Sequence, residues 1–169
     1  MDAVQIEYSP FDLDIEGATG TDLLATCREL GVTVVAYSPL GRGLLTGAFN
    51  SKESFSNEGD YRVMFPRFSG ENFEANVKIV NQFKALADKK GCTAAQLAIA
   101  WLLKQGTDVI PIPGTKRIKY LEENWASLKV QLTDADEAEV RKLVEGTKIA
   151  GDRYIEAVKG QCYADTVEE

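Results

Sequence analysis

Histidine is absent from this 169-residue chain. That absence removes Ser-His and Cys-His nucleophile pairs, His-ligated zinc and any imidazole general base. Cysteine is scarce as well. Cys27, Cys92 and Cys162 are far apart, odd in number and form no CxxC pair, so neither a disulfide framework nor a thiolate metal site is expected. Basic charge is in deficit: 19 Lys and Arg stand against 26 Asp and Glu, for a formal net charge of -7. Nonspecific nucleic-acid binding needs the opposite field. The acidic residues are scattered rather than gathered in a tail, so their excess reads as solubility. No apolar run approaches the ~20 residues of a membrane-crossing helix. The opening MDAVQIEYSP has neither the basic region nor the apolar core of a secretion signal. The expectation is a cytoplasmic protein with reduced thiols and with neither membrane nor nucleic acid as partner.

What is present is an ordinary globular composition, 44% hydrophobic and 27% charged, at a length that allows one domain with a real core. Residues 4–8 read as a short strand, and a strand beginning almost at the first residue hints at a piece of something larger. A turn-rich loop with Pro10 and Gly17 follows. Residues 22–30 read as a helix, with Thr21 as its cap, Leu23, Leu24, Cys27 and Leu30 as its apolar stripe, and Gly31 as its end. A second strand over 32–37 completes one βαβ unit, which implies parallel strands and a right-handed crossover. Residues 38–70 are long, irregular and rich in aromatics, as functional or mobile loops are. A helix from about residue 71 buries Val77, Val80, Phe83, Leu86 and Ala87 and stops at Gly91. Thr93 and Gln96 form a capping box for a helix over 94–105 that is apolar almost all round. Residues 108–112 make a third strand, stopped by Pro111 and Pro113. Helices over 117–127 and 133–145 follow, and residues 146–169 are polar and irregular.

The central stretch is VTVVAYSPLGRGLLTG, residues 32–47. A buried strand runs into a turn with Pro39, Gly41, Gly43 and Gly47, where bare backbone N–H groups can gather around a phosphate. Many strand-to-loop junctions carry Pro and Gly without doing so, and the flanking segments decide between the two.

Three ordered segments carry a resemblance to the aldo-keto reductases. VQIEYSPF resembles the end of the sixth barrel strand, VTVVAYSPLGRGLLTG the seventh with its loop, and VIPIPGTKRIKYLEEN the eighth with the helix after it. The intervening CTAAQLAIAWLL matches in order and spacing, and GDRY near the end looks like one branch's C-terminal loop. The resemblance covers residues 3–145 and leaves 146–169 as a C-terminal loop and tail of one partial domain. It implies an α/β fold: the C-terminal part of a (β/α)8 TIM barrel, with the barrel incomplete.

The family reduces aldehydes and ketones with NADPH, and in such barrels the loops after strands seven and eight build the phosphate site. The resemblance places Gln5 on the nicotinamide carboxamide and Tyr37 against the nicotinamide ring. Ser38, Leu40, Gly41, Arg42 and Gly43 fall in the pyrophosphate loop, acting mostly through backbone N–H groups. Gly114, Thr115, Lys116 and Arg117 fall at the adenosine 2′-phosphate. Two cations at a helix start oppose the helix dipole, which favours a bound anion there and NADPH over NADH. Glu123 and Asn124 fall where the family binds adenine, and Arg62 or Arg67 could clamp the 2′-phosphate from the long loop. Each position has a plainer alternative: a satisfied barrel glutamine, a core tyrosine, a solvated helix face.

The family's catalytic Asp, Tyr, Lys and His lie on its first four strands, so the resemblance implies a chain with the cofactor-binding part and without the tetrad. Tyr8, Tyr37 and Lys116 hold other positions. Truncation would open two strand edges and wet one side of the sheet through Ile6, Val34 and Ile110 or their alternating neighbours, implying self-association or complementation through those edges. Three readings stay open: a reductase part active only with its missing half, a catalytically silent cofactor or partner binder, and a truncated product with no function of its own.

Overall fold

Three short parallel strands, in the order β1 (Ala3–Glu7), β2 (Thr33–Tyr37) and β3 (Val109–Pro111), carry the fold. The structure is a computed structural model and describes residues 1–17, 20–51, 54 and 59–157; Cys162 lies outside them. Val34 pairs with Val4 and with Val109, while Val35 pairs with Gln5 and with Ile110. Since paired residues of neighbouring strands share a face and side chains alternate along a strand, the sheet has two unlike sides. The Val34 side is sealed, with Val34, Ala36 and Val109 buried. The Val35 side is open, with Gln5 exposed, Val35 half-buried and Ile110 at 49% exposure. The expected wetting of one side is therefore present but falls on Gln5, Val35 and Ile110. Val34 is fully enclosed, and Ile6 packs against the core from the helix side.

Among the described residues, five α-helices flank the sheet: α1 (Leu23–Glu29), α2 (Gly70–Lys90), α3 (Ala94–Gln105), α4 (Ile118–Ala126) and α5 (Asp134–Glu145). The core is built mainly by α2 and α3. Phe73, Val80, Phe83 and Ala87 of α2 meet Leu97, Ala98, Trp101 and Leu102 of α3 in one cluster with Val34 and Val109. Phe83 is completely enclosed and sits edge-on to Phe11 at 5.9 Å. The Thr93 and Gln96 capping box forms as the spacing predicts, and Thr133 makes a second one with Asp136. Two local expectations differ. Thr21 does not cap α1: its hydroxyl donates to the Asp14 carbonyl, and Asp22 takes the N-cap in a left-handed conformation at φ 50°. Leu30 is 69% exposed, because α1 ends at Glu29 and only Leu24 and Cys27 of its stripe are buried.

The loop after β1 is held by two arginine-centred clusters. Tyr8, fully buried, donates its hydroxyl to Glu16, and Arg141 of α5 reaches the same carboxylate at 2.6 Å while lying over the Trp101 ring. On the other side, Glu7 and Asp12 are buried beside Arg153 and Arg67. Glu7 makes only a 3.5 Å ion pair with Arg153, and its Oε2 has no hydrogen-bond partner. Burial first, and the nearby Asp12 charge second, push its carboxyl from an ordinary 4.5 up to about 7, against the opposing pull of Arg153.

Two measurements follow from this packing. Phe83→Ala is expected to lose about 3–5 kcal/mol in urea unfolding, the usual loss for a fully buried aromatic. For Glu7, the folded protein keeps a proton that the unfolded chain releases near 4.5. Its favourable contribution is thus complete below that value and is lost as pH rises through about 7. Glu7→Gln should therefore gain in urea midpoint over the wild type at about pH 8, with the gain shrinking at about pH 5. An equal gain at both would show that the carboxyl does not hold its proton.

Candidate functional site

All the loops at the C-terminal ends of the strands lie on one end of the molecule, where parallel α/β sheets place their ligands. The loop after β2 and the segment after β3 enclose an open cleft of about 1010 Å³, the size of a pocket for a large organic ligand. Of the residues singled out in the sequence, Ser38, Leu40, Arg42, Gly43, Gly114, Thr115, Glu123 and Asn124 line it together. They are separated by some seventy residues of chain, and β2–β3 pairing is what joins them.

The backbone after β2 is unusual. Ser38, Gly41, Arg42 and Gly43 all have positive φ, at 50°, 55°, 57° and 92°. For Ser38 and Arg42 this is an uncommon, strained conformation. The loop closes on itself: Gly41 N–H donates to the Ser38 carbonyl at 2.8 Å and Gly43 N–H to the Leu40 carbonyl at 2.9 Å. The expected bare N–H groups at these two glycines are thus already used. Their role here is conformation and space. A Cβ on Gly43 would lie 2.8 Å from the Phe49 ring and 3.2 Å from Arg62 Nη1, so glycine here lets both side chains pack directly against the loop. Gly41 sits behind the wall, against Leu44 and Leu45.

Arg42 turns inward. Its guanidinium lies 4.1 Å from the Phe65 ring centroid and 4.7 Å from that of Tyr154, and Nη1 donates to the Arg153 carbonyl at 3.3 Å. The side chain stays at the cleft edge. Arg62 lies over Phe49 at 4.0 Å and is held by Asp60. The two loop arginines thus separate: Arg62 lines the cleft, whereas Arg67 turns away to Asp12 and the Gly151 carbonyl.

On the opposite wall, Gly114 is open on the side where a Cβ would stand. The Thr115 hydroxyl accepts the Arg117 N–H at 3.1 Å and so sets the start of α4. Lys116 and Arg117 are exposed and do not line the cleft; the cation that does on this wall is Lys119, the second residue of α4. Asn124 is buried, Glu123 is half-buried, and Gln96 of α3 donates to the Glu123 carbonyl at 3.3 Å. Thr93, Ala95, Thr46, Phe49, Tyr61, Ile112 and Tyr120 also line the cleft. Sequence reasoning assigned Thr93 only to helix capping. Its place in the cleft comes from α3 starting beside α4, which no local pattern signals.

Gln5 and Tyr37 lie outside this cleft, at its sheet end. Gln5 is exposed on the open side of β1 and is offset from Tyr37, whose register partner is Glu7. Tyr37 is half-buried, and its hydroxyl lies 3.3 Å from that of Tyr154. Burial first, then this hydrogen bond, raise its phenol well above the ordinary range. Among the described residues there is no cluster of three or more acidic or thiol groups able to hold a metal ion, and no helix is long and apolar enough to cross a membrane.

Against this geometry, residues 1–145 match the model of the aldo/keto reductase family. Over 164 residues the chain is 46% identical to the protein named aldo-keto reductase yakc, NADP(+), of Schizosaccharomyces pombe, covering 97% of this chain and 48% of that one. Over 151 residues it is 52% identical to aldo-keto reductase str7 of Strobilurus tenacellus, covering 89% and 44%. The solved glycerol dehydrogenase of Gluconobacter oxydans superposes with a TM-score of 0.68 at 26% identity, over 85% of this chain and 42% of that one. The chain spans about half the length of the curated relatives it matches, and its three open parallel strands with flanking helices are part of such a barrel. On the family match, which covers most of its residues, the chain belongs to the aldo/keto reductase family.

Proposed function

We propose that this chain is the cofactor-holding part of an NADP(H)-dependent reductase of aldehydes and ketones. The observation that carries the reading is the single cleft in which the β2 loop and the α4 start converge. Its lining suits a phosphorylated dinucleotide: Arg42, Arg62 and Lys119 supply positive charge, Thr46 and Thr115 supply hydroxyls, and the α4 N-terminus adds a partial positive pole. Phe49, Tyr61 and Tyr120 offer aromatic surface to a base. The relative named for NADP(+) agrees with this chemistry.

When bound, the nicotinamide supplies a hydride to the substrate carbonyl. This chain's residues bind and orient. Ser38, Leu40, Gly41, Arg42 and Gly43 would hold the pyrophosphate, with Arg42 and the shape of the loop carrying more of the task than the glycine N–H groups. Gly114 and Thr115, helped by Arg62 and Lys119, would hold the 2′-phosphate, with Lys116 and Arg117 adding field from outside. Glu123 and Asn124 would meet the adenine. Gln5 and Tyr37, at the sheet end, would fix the nicotinamide. None of Tyr8, Tyr37 and Lys116 suits the role of proton donor or its partner. Tyr8 is sealed on Glu16, Tyr37 is tied to Tyr154, and Lys116 points to solvent. The proton for the alkoxide would then come from residues outside this chain.

NADPH titration of the purified chain tests the reading, followed through the fluorescence of Trp125, which is 71% exposed on α4. Saturable binding that favours NADPH over NADH is expected, and absence of binding up to about millimolar cofactor, the weak end of specific affinity, would sink the idea. Gly43→Ala should raise the NADPH dissociation constant about tenfold or more, because its methyl enters the Phe49 ring at a left-handed φ.

A further inference from the structure

Residues 150–154 run across the end of the sheet, and they touch Arg42, proposed for the pyrophosphate, and Tyr37, proposed for the nicotinamide. Their approach is fixed by α2. Asn76, fully buried, accepts the Ala150 N–H at 2.8 Å and donates to the Ala150 carbonyl at 2.9 Å. Arg67 donates to the Gly151 carbonyl at 3.3 Å. Gly151 passes so close to Pro66 that a Cβ would lie 2.7 Å from its carbonyl carbon. The segment is thus docked before Arg153 is reached.

Arg153 then does something the docking does not require. Its guanidinium meets three carboxylates of the β1 strand and loop: Asp12, Asp14 at 3.0 Å and Glu7 at 3.5 Å. Its own carbonyl accepts Arg42 Nη1, and the next residue, Tyr154, brings its hydroxyl to Tyr37 and its ring beneath the Arg42 guanidinium. Phe65 closes the far side of Arg42 and meets Tyr154 edge-on at 6.2 Å. A guanidinium can span several carboxylates in one plane, which an ammonium cannot.

On the cofactor reading given above, we propose that Arg153 is a positioning residue: by clamping to the β1 loop, it holds Arg42 and Tyr37 where the pyrophosphate and nicotinamide half of the dinucleotide would sit. The α4 residues of the adenosine end are not among the partners of Arg153 or Tyr154, and Arg62, which also helps at the 2′-phosphate, reaches this region through the Arg42 carbonyl at 3.2 Å.

The division between the two ends makes the test. Dissociation constants of the full chain are measured for NADPH and for adenosine 2′,5′-bisphosphate, which carries only the adenosine end. Arg153→Ala is expected to raise the NADPH constant about tenfold and to leave the bisphosphate within about twofold, as loss of charge-assisted bonds acting on one half alone would do. Tyr154→Phe, which removes only the hydroxyl facing Tyr37, should raise the NADPH constant about threefold, the effect of one neutral hydrogen bond. Hydrogen exchange gives a readout that needs no cofactor: in Arg153→Ala the amides of residues 41–46 should exchange faster while those of α3 do not change. Parallel weakening of both ligands, or of neither, overturns the positioning role, as does unchanged exchange in residues 41–46. A wild-type chain that binds neither ligand overturns the cofactor reading instead, and the exchange result then decides alone whether Arg153 orders the β2 loop.

Discussion

β2 is paired on both sides, and everything else is positioned by that pairing. Its hydrogen bonds to β1 bring Glu7 level with Tyr37, and its hydrogen bonds to β3 bring Ala36 level with Pro111. The tips of three strands distant in sequence thereby meet at one end. Parallel pairing also forces each crossover to carry a helix over the same side, so the Val34 side is buried and the loops are left free at the tips. The cleft is a consequence of register. A shift of one residue would turn Tyr37 to the helix side and Val34 to water.

The two sides of the sheet explain the charge distribution around it. The helix side is sealed by Phe83, Trp101 and Leu97 and needs no polar groups. At the strand tips, backbone direction changes abruptly and carboxylates become buried. Glu7 and Asp12 are tolerated because Arg67 and Arg153 face them, although the desolvation of such groups offsets much of the attraction. The incomplete satisfaction of Glu7 is where that offset is visible. The same arginine whose side chain neutralises the β1 loop meets the β2 loop with its backbone carbonyl, so local electrostatics and the shape of the proposed site are joined at one residue.

Much of the fold was legible one residue at a time. The apolar, β-branched run of 32–37, the capping box at Thr93 and Gln96, the stop at Gly91 and the all-round apolar pattern of 94–105 each have a local physical cause, and each forms the element expected of it. The misreadings were also local: Thr21 finds an acceptor in the Asp14 carbonyl, seven residues back along the chain, that competes with capping, and Leu30 falls one residue beyond its helix. Within the candidate site, the glycines of GRG were read as donors of bare N–H groups. Their N–H groups instead close the loop on itself, and the absence of a Cβ at Gly43 lets Phe49 and Arg62 pack against it. Arg62 and Arg67 could not be told apart, since their difference lies in which partner the chain brings near: Asp60 for one, Asp12 for the other.

Local sequence set which segments become strands and helices and where most of them end, because periodicity, capping and glycine act over a few residues. The packing of distant segments settled which cations face the cleft, that Lys119 lines it while Lys116 does not, that Thr93 reaches it from a neighbouring helix, and that Arg153 meets Arg42 while Tyr154 meets Tyr37. Those outcomes depend on contacts between residues from about thirty to more than a hundred positions apart, and on which carboxylates burial leaves in need of a partner.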